Sequence, residues 1–188
     1  MPNILNVDAD AFSSGQISSK LWLCEMLESL DIKTPQKIWV YGGWYGCASL
    51  MLLSRGQLPI DHIRSFDIDP ECETVADSLL ENWVWKNWTF KALTVDCNLI
   101  EFNKECPDII INCSTEHFTS KHWWYNIPKH VICVLQSNNM PHHDHHDCVS
   151  TLNEFSRKYR MSQPLYQGQL DFNYPNWQFS RFMIIGRK

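Results

Sequence analysis

The chain has 188 residues, 44% of them hydrophobic and 13% aromatic, with a formal net charge of −5. That length predicts one domain, and the apolar content is ample for a packed core, which excludes a disordered chain. The acidic balance argues against a protein that grips phosphate backbones over a broad face and leaves open only a small local contact with nucleic acid.

No run of about 18 apolar residues occurs, so no membrane span is expected. The opening, Met1 to Asp8, has neither a basic region nor an apolar signal segment. Eight cysteines stand at positions 24, 47, 72, 97, 106, 113, 133 and 148. None are paired as Cys-x-x-Cys, and most sit in apolar runs. Reduced, buried thiols in a cytoplasmic protein are expected.

Residues 1–17 read as an arm or loop. Leu23, Leu27 and Leu30 at helical spacing predict a helix over 18–31, with Ser18 or Ser19 as N-cap. Ile38 to Tyr41 is a first strand. Cys47 to Arg55 is a buried helix stopped by Gly56. Ile63 to Ile68 is a second strand, after which Asp69 as N-cap and Pro70 open a helix through Trp83. Phe90 to Val95 is a third strand, ending at Asp96. Asp108 to Ile111 is a fourth, apolar enough to lie centrally. A short helix over Thr119 to Asn126, a fifth strand over Val131 to Leu135 and a helix over Val149 to Tyr159 follow. Leu165 to Phe172 and Arg181 to Ile185 are two last strands, whose link, Asn173 to Ser180, is too short for a helical crossover.

Strands alternating with helices predict an α/β fold: a doubly wound, mostly parallel seven-stranded sheet with an antiparallel C-terminal strand pair and helices on both faces. The organisation expected is one domain over 1–188, with an N-terminal arm and helix over 1–35 and a Rossmann-like core over 36–188.

Ligands of such sheets bind beyond the carboxyl ends of the strands, where strand order reverses. Three features end at that edge: the loop Gly42-Gly43-Trp44-Tyr45-Gly46, Asp67 and Asp96. A turn of glycines lets a ligand lie against backbone N–H groups, and a carboxylate at the tip of the next strand accepts from ribose hydroxyls. With Asp108-Ile109-Ile110-Ile111-Asn112 and Phe182-Met183-Ile184-Ile185-Gly186-Arg187-Lys188, the order of elements over residues 36–188 resembles the class I S-adenosylmethionine-dependent methyltransferases. The loop differs in detail: Tyr41 stands where that family usually has an acidic residue, and the spacing is not Gly-x-Gly.

The resemblance implies S-adenosyl-L-methionine as cofactor, held by Tyr41, Gly42, Gly43, Trp44, Gly46, Asp67, Ile68, Asp96, Cys97 and Asn112. Asp67 would take the ribose, Asp96 with Cys97 or Asn98 the adenine amino group, and Asn112 a place near the transferred methyl. Methyl transfer asks mainly for alignment, with a base where the acceptor carries a proton. Asn112, Glu116 and His117, after the fourth strand, are the candidates for catalysis; a solvated turn or helix cap is the alternative for the last two. Asn112 is followed by Cys-Ser-Thr rather than the Pro-Pro-Tyr of amino-methylating members, so the acceptor is left as a small molecule or an exposed protein side chain. A nicotinamide-dependent oxidoreductase and a non-catalytic binding protein of the same fold are the alternatives.

His142, His143, Asp144, His145, His146, Asp147 and Cys148 are metal-ligating types. They are too crowded in sequence for all to meet one ion, and no residue is assigned to a metal. One or two of these histidines facing the acceptor, or a solvated loop, are the other readings. Phe12, Ser14, Gly15 and Gln16 are expected to fold over the site as a lid.

Overall fold

The computed structural model describes residues 7–188. Met1 to Asn6, most of the opening stretch judged free of a signal segment, lie outside the described residues.

Seven strands form one sheet in the order β3-β2-β1-β4-β5-β7-β6. They are β1 (Gln36–Tyr41), β2 (Ile60–Asp67), β3 (Phe90–Thr94), β4 (Ile109–Asn112), β5 (Ile132–Asn138), β6 (Gln163–Tyr174) and β7 (Trp177–Arg187). The first five are mutually parallel, and β7 runs antiparallel to both β5 and β6. The doubly wound sheet with its antiparallel C-terminal pair is the architecture expected from the sequence. Strand order reverses between β1 and β4, so the open crevice falls there.

Alternation along β1 divides the core. Ile38 and Val40 join Leu23, Leu27, Leu52 and Leu80 on one face, which carries α1 (Ser14–Glu28), α2 (Cys47–Arg55) and α3 (Pro70–Leu79). Trp39 and Tyr41 join Trp123, Trp124, Phe155 and Tyr159 on the other, under α5 (His122–Asn126) and α6 (Leu152–Lys158). Period-two alternation makes each strand serve both layers.

Several boundaries differ from the sequence reading. α1 starts at Ser14, because Ser13, not Ser18 or Ser19, caps it by accepting from the Gln16 N–H; the polar first turn carries no apolar period to betray it. The helix opened by Asp69 and Pro70 stops at Leu79, and a separate short α4 (Glu81–Trp85) follows Leu80, whose φ of −107° and ψ of 23° break the helical run. β5 continues through Gln136, Ser137 and Asn138, read from sequence as loop: all three are buried, and Gln136 Nε2 donates to the Ser19 carbonyl at 2.9 Å. The last two strands run on to Tyr174 and Trp177, leaving only Pro175 and Asn176 as a turn. Stacked aromatic pairs, Phe172 on Phe179 at 4.7 Å and Tyr174 on Trp177 at 4.8 Å, extend the ladder past the expected limits.

Candidate active site

A cavity of about 700 Å³ opens at the carboxyl ends of the parallel strands. Its floor begins at the turn after β1. Gly42 and Gly46 adopt φ of +60° and +75°, a left-handed conformation that suits residues without a Cβ. A Cβ on Gly43 would stand 1.9 Å from Ser65 Oγ. The turn is therefore closed against β2 from below, while the backbone of Gly42 and Gly43 faces the cavity. Trp44, the next residue, also has a positive φ of +48°, which is strained for a bulky side chain. Its N–H donates to Asp67 Oδ2 at 2.9 Å.

Asp67 ends β2 and lines the cavity. Its other oxygen accepts the Asp69 N–H at 3.2 Å. Two backbone donors thus orient the carboxylate, and a carboxylate has about four acceptor positions, leaving some for a ligand hydroxyl. Ile68 is exposed beside it. Asp96, after β3, accepts from the Asn98 backbone N–H at 2.8 Å and its side-chain amide at 2.9 Å. Cys97 is buried, and burial pushes its thiol up to about 12.

The other wall follows β4 and β5. Asn112 is fully buried and its Oδ1 accepts the Ser114 N–H at 3.0 Å. A 3-10 turn, Thr115–His117, is fixed by Thr115 Oγ1 donating to the Gln136 carbonyl at 2.9 Å. That turn holds Glu116 at 1% exposure, its Oε1 accepting from Asn138 Nδ2. Oε2 has no formed hydrogen bond, although Ser137 lies close by. Burial raises the carboxyl above its ordinary range, with Arg181 acting against the shift. The Glu116 carbonyl accepts the His146 and Asp147 N–H groups at 2.8 and 2.9 Å, which docks the histidine-rich loop onto the turn. His117 reaches the cavity, its ring centroid 4.7 Å from that of His145 and nearly perpendicular to it. Loss of solvent, followed by repulsion from His145, lowers its pKa.

The cavity thus brings together Gly42, Gly43, Trp44, Asp67, Ile68, Asp96, Cys97, Glu116 and His117. It leaves out three of the residues singled out from sequence. Tyr41 points into the core against Phe66 and Trp123. Gly46 packs against Leu80 and Ala76 as the residue preceding α2. Asn112 lies behind Ser114 and shapes the turn rather than facing the cavity. From the arm, Gln16 does line the cavity, as do Asp8 and Asp10; Phe12, Ser14 and Gly15 do not.

Among the lining residues that escaped the sequence reading are two buried basic side chains. Lys20 and Arg181 are 8% and 6% exposed. Lys20 donates to Gln16 Oε1, and burial lowers its pKa; Arg181 Nη1 donates to the Cys113 carbonyl at 3.1 Å. Both left a sequence signal: Lys20 sits on the apolar stripe of Leu23, Cys24 and Leu27, and Arg181 heads the apolar strand Phe182 to Ile185.

No family model matches the chain, and no curated protein matches it. Solved structures do. Magnesium protoporphyrin IX methyltransferase from Synechocystis PCC 6803, with bound S-adenosylmethionine, superposes with a TM-score of 0.68 at 10% identity, over 99% of this chain and 86% of that one. Coclaurine N-methyltransferase bound to N-methylheliamine and S-adenosylhomocysteine gives 0.66 at 10% identity, over 98% and 74%. A TehB-like methyltransferase from Corynebacterium glutamicum gives 0.55 at 10% identity, over 88% and 87%. The chain has the fold of the class I S-adenosylmethionine-dependent methyltransferases. At such identities the likeness is one of fold.

Proposed function

We propose that this protein is an S-adenosylmethionine-dependent methyltransferase acting on a small molecule or an exposed protein side chain. One observation carries the reading: the side-chain-free turn of Gly42 and Gly43 and the oriented carboxylate of Asp67 share one cavity at the point where strand order reverses. The parallel sheet ends in an antiparallel β7–β6 hairpin, which favours this cofactor over a nicotinamide dinucleotide.

The residues fit an adenosyl cofactor. Gly42 and Gly43 would offer close backbone approach, Asp67 would accept ribose hydroxyls, and Asp96, Cys97 and Asn98, which line the cavity with Ile68 and Val95, would hold the base. Tyr41, Gly46 and Asn112 support this frame from behind. When bound, the cofactor supplies an electrophilic methyl group on a sulfonium. The chain's part is to align an acceptor and manage its proton. Glu116 and His117 stand on the wall that follows β4 and would face the acceptor there. Lys20 and Arg181 give that end of the cavity two buried cations, suited to an acceptor bearing an anionic group.

One domain is proposed, residues 1–35 contributing an arm and helix whose Gln16 and Lys20 close one side of the site. No helix among the described residues is long and apolar enough to cross a membrane. Eight free thiols suit the reducing cytoplasm.

Calorimetric titration with S-adenosylmethionine, S-adenosylhomocysteine and NADH tests the reading. Micromolar binding of the first two without the third is expected, and Asp67→Ala should abolish it. NADH binding alone would replace the proposal with a dehydrogenase, and binding of none would make the chain a non-catalytic relative of the fold.

A further inference from the structure

His117 and His145 come from different loops, 28 positions apart in sequence (145 minus 117), yet with Glu116 each offers a ligand atom such that all three lie within 4.8 Å of one another. We propose that Glu116, His117 and His145 form a site for a first-row divalent metal ion, zinc being the natural occupant, on the acceptor side of the cavity.

Three features make this a built site rather than a chance gathering. Glu116 is buried, and its Oε2 has no formed hydrogen bond, with the unpartnered Ser137 hydroxyl close by; a buried carboxylate oxygen so placed is costly unless a ligand fills the place. Its Oε1 is meanwhile pinned by Asn138, so the free oxygen is held in position. His145 Nδ1 lies 2.8 Å from the Met140 carbonyl. A carbonyl only accepts, so Nδ1 carries the proton and Nε2 keeps its lone pair for a ligand, the support that metal-binding imidazoles ordinarily have.

Ligand atoms around an ion with bonds of about 2.0–2.2 Å stand roughly 3–3.5 Å apart, so modest side-chain rotation closes the set. Two imidazoles and one carboxylate suit zinc and its first-row neighbours rather than magnesium or calcium, which prefer oxygen. Lys20 and Arg181 act through space on the same carboxylate and oppose a dication, which holds the affinity down. Three protein ligands leave positions open toward the cavity, where the ion would take an oxygen or nitrogen of the acceptor. That use rests on the methyltransferase reading, whereas the ion site itself does not.

A second gathering, His142, His143 and Asp144, is wholly exposed. It is the competitor that the experiment must separate. The full chain, Glu116→Gln, His145→Ala and His143→Ala are titrated with zinc by calorimetry and with cobalt by visible absorption, and each with S-adenosylhomocysteine. One equivalent of zinc bound by the parent, weakened at least tenfold in Glu116→Gln and His145→Ala and unchanged in His143→Ala, is expected. No zinc bound by the parent would overturn the site. So would binding that survives in both ligand variants, or that is lost only in His143→Ala, which places the ion on the exposed loop. Should Glu116→Gln fail to fold, His145→Ala decides, since that side chain lies in a half-buried surface loop. Retained S-adenosylhomocysteine binding in His145→Ala separates loss of the ion from failure of the cofactor reading.

Discussion

A Cβ at Gly43 would meet both Oγ and Cβ of Ser65, at 1.9 and 3.2 Å. Rotation of the serine relieves the first contact but not the second. Gly43→Ala should therefore cost about 1–3 kcal/mol of stability, as overpacking usually does, and weaken adenosyl-cofactor binding by displacing the turn. Adding Ser65→Ala should recover part of both losses; urea denaturation of the two single variants and the double variant measures it, and strict additivity would show that the two residues do not collide. Glycine at this position is thus demanded by a neighbouring strand, a reason beyond its role as an ordinary turn former. Trp44 carries the opposite lesson. A tryptophan at φ +48° is not a choice made for turn stability. Its N–H on Asp67 gives the strain a use, because it aims the carboxylate.

α3 is joined to β3 by a compact charge network. Lys91 donates to Glu73 at 2.8 Å and also to Asp77, while Glu73 accepts the Thr94 N–H at 2.8 Å and Asp77 the Ala92 N–H at 2.9 Å. The Lys91 and Thr94 hydrogen bonds hold Glu73 below its ordinary pKa. For Lys91, burial pulls downward, but the two carboxylates prevail and the pKa is raised. The Glu73 contribution is thus present above the unfolded carboxylate value of about 4.3 and is lost as pH falls through the lower folded value. The Lys91 contribution is present below its unfolded value of about 10.4 and is lost as pH rises through the higher folded value. Lys91→Met should cost about 1–2 kcal/mol at neutral pH by leaving two half-buried carboxylates without their cation. It should also flatten the decline in melting temperature at both pH extremes; an unchanged profile would assign the network no role in stability.

Across the whole molecule, all eight cysteines are free thiols, and six are buried. Burial pushes Cys24, Cys72, Cys97 and Cys133 up to about 12, so their thiolate fraction at neutral pH is negligible. Only Cys106 and Cys148 are partly accessible. A thiol-specific reagent should modify no more than two cysteines rapidly in the native protein, and all eight in denaturant. Fast reaction of Cys97 would show that the Asp96 side of the cavity opens in solution. Fold legibility followed the same division between buried and exposed positions. Strands β1 and β4 announce themselves as apolar runs, and Asp69-Pro70 and Gly56 mark helix ends by their backbone preferences. The end of β5 was hidden because its buried residues Gln136, Ser137 and Asn138 are polar, and only partners distant in sequence make their burial tolerable.

What the residues determine locally is the order of elements, the glycine turn and the carboxylates that follow β2 and β3, because each depends on propensity and on periods of two or 3.6. That order led to the sheet, the crevice and the proposal of an adenosyl cofactor. The far wall of the cavity is different in kind. Lys20, Glu116, His117, His145 and Arg181 lie on α1, the turn after β4, the loop after β5 and β7, and no spacing relates them. Their meeting depends on β4 lying beside β5 and β5 beside β7, and on the Glu116 carbonyl capturing the histidine loop. Those are long-range contacts, made only after the chain has closed on itself, so the make-up of that wall belongs to the tertiary structure.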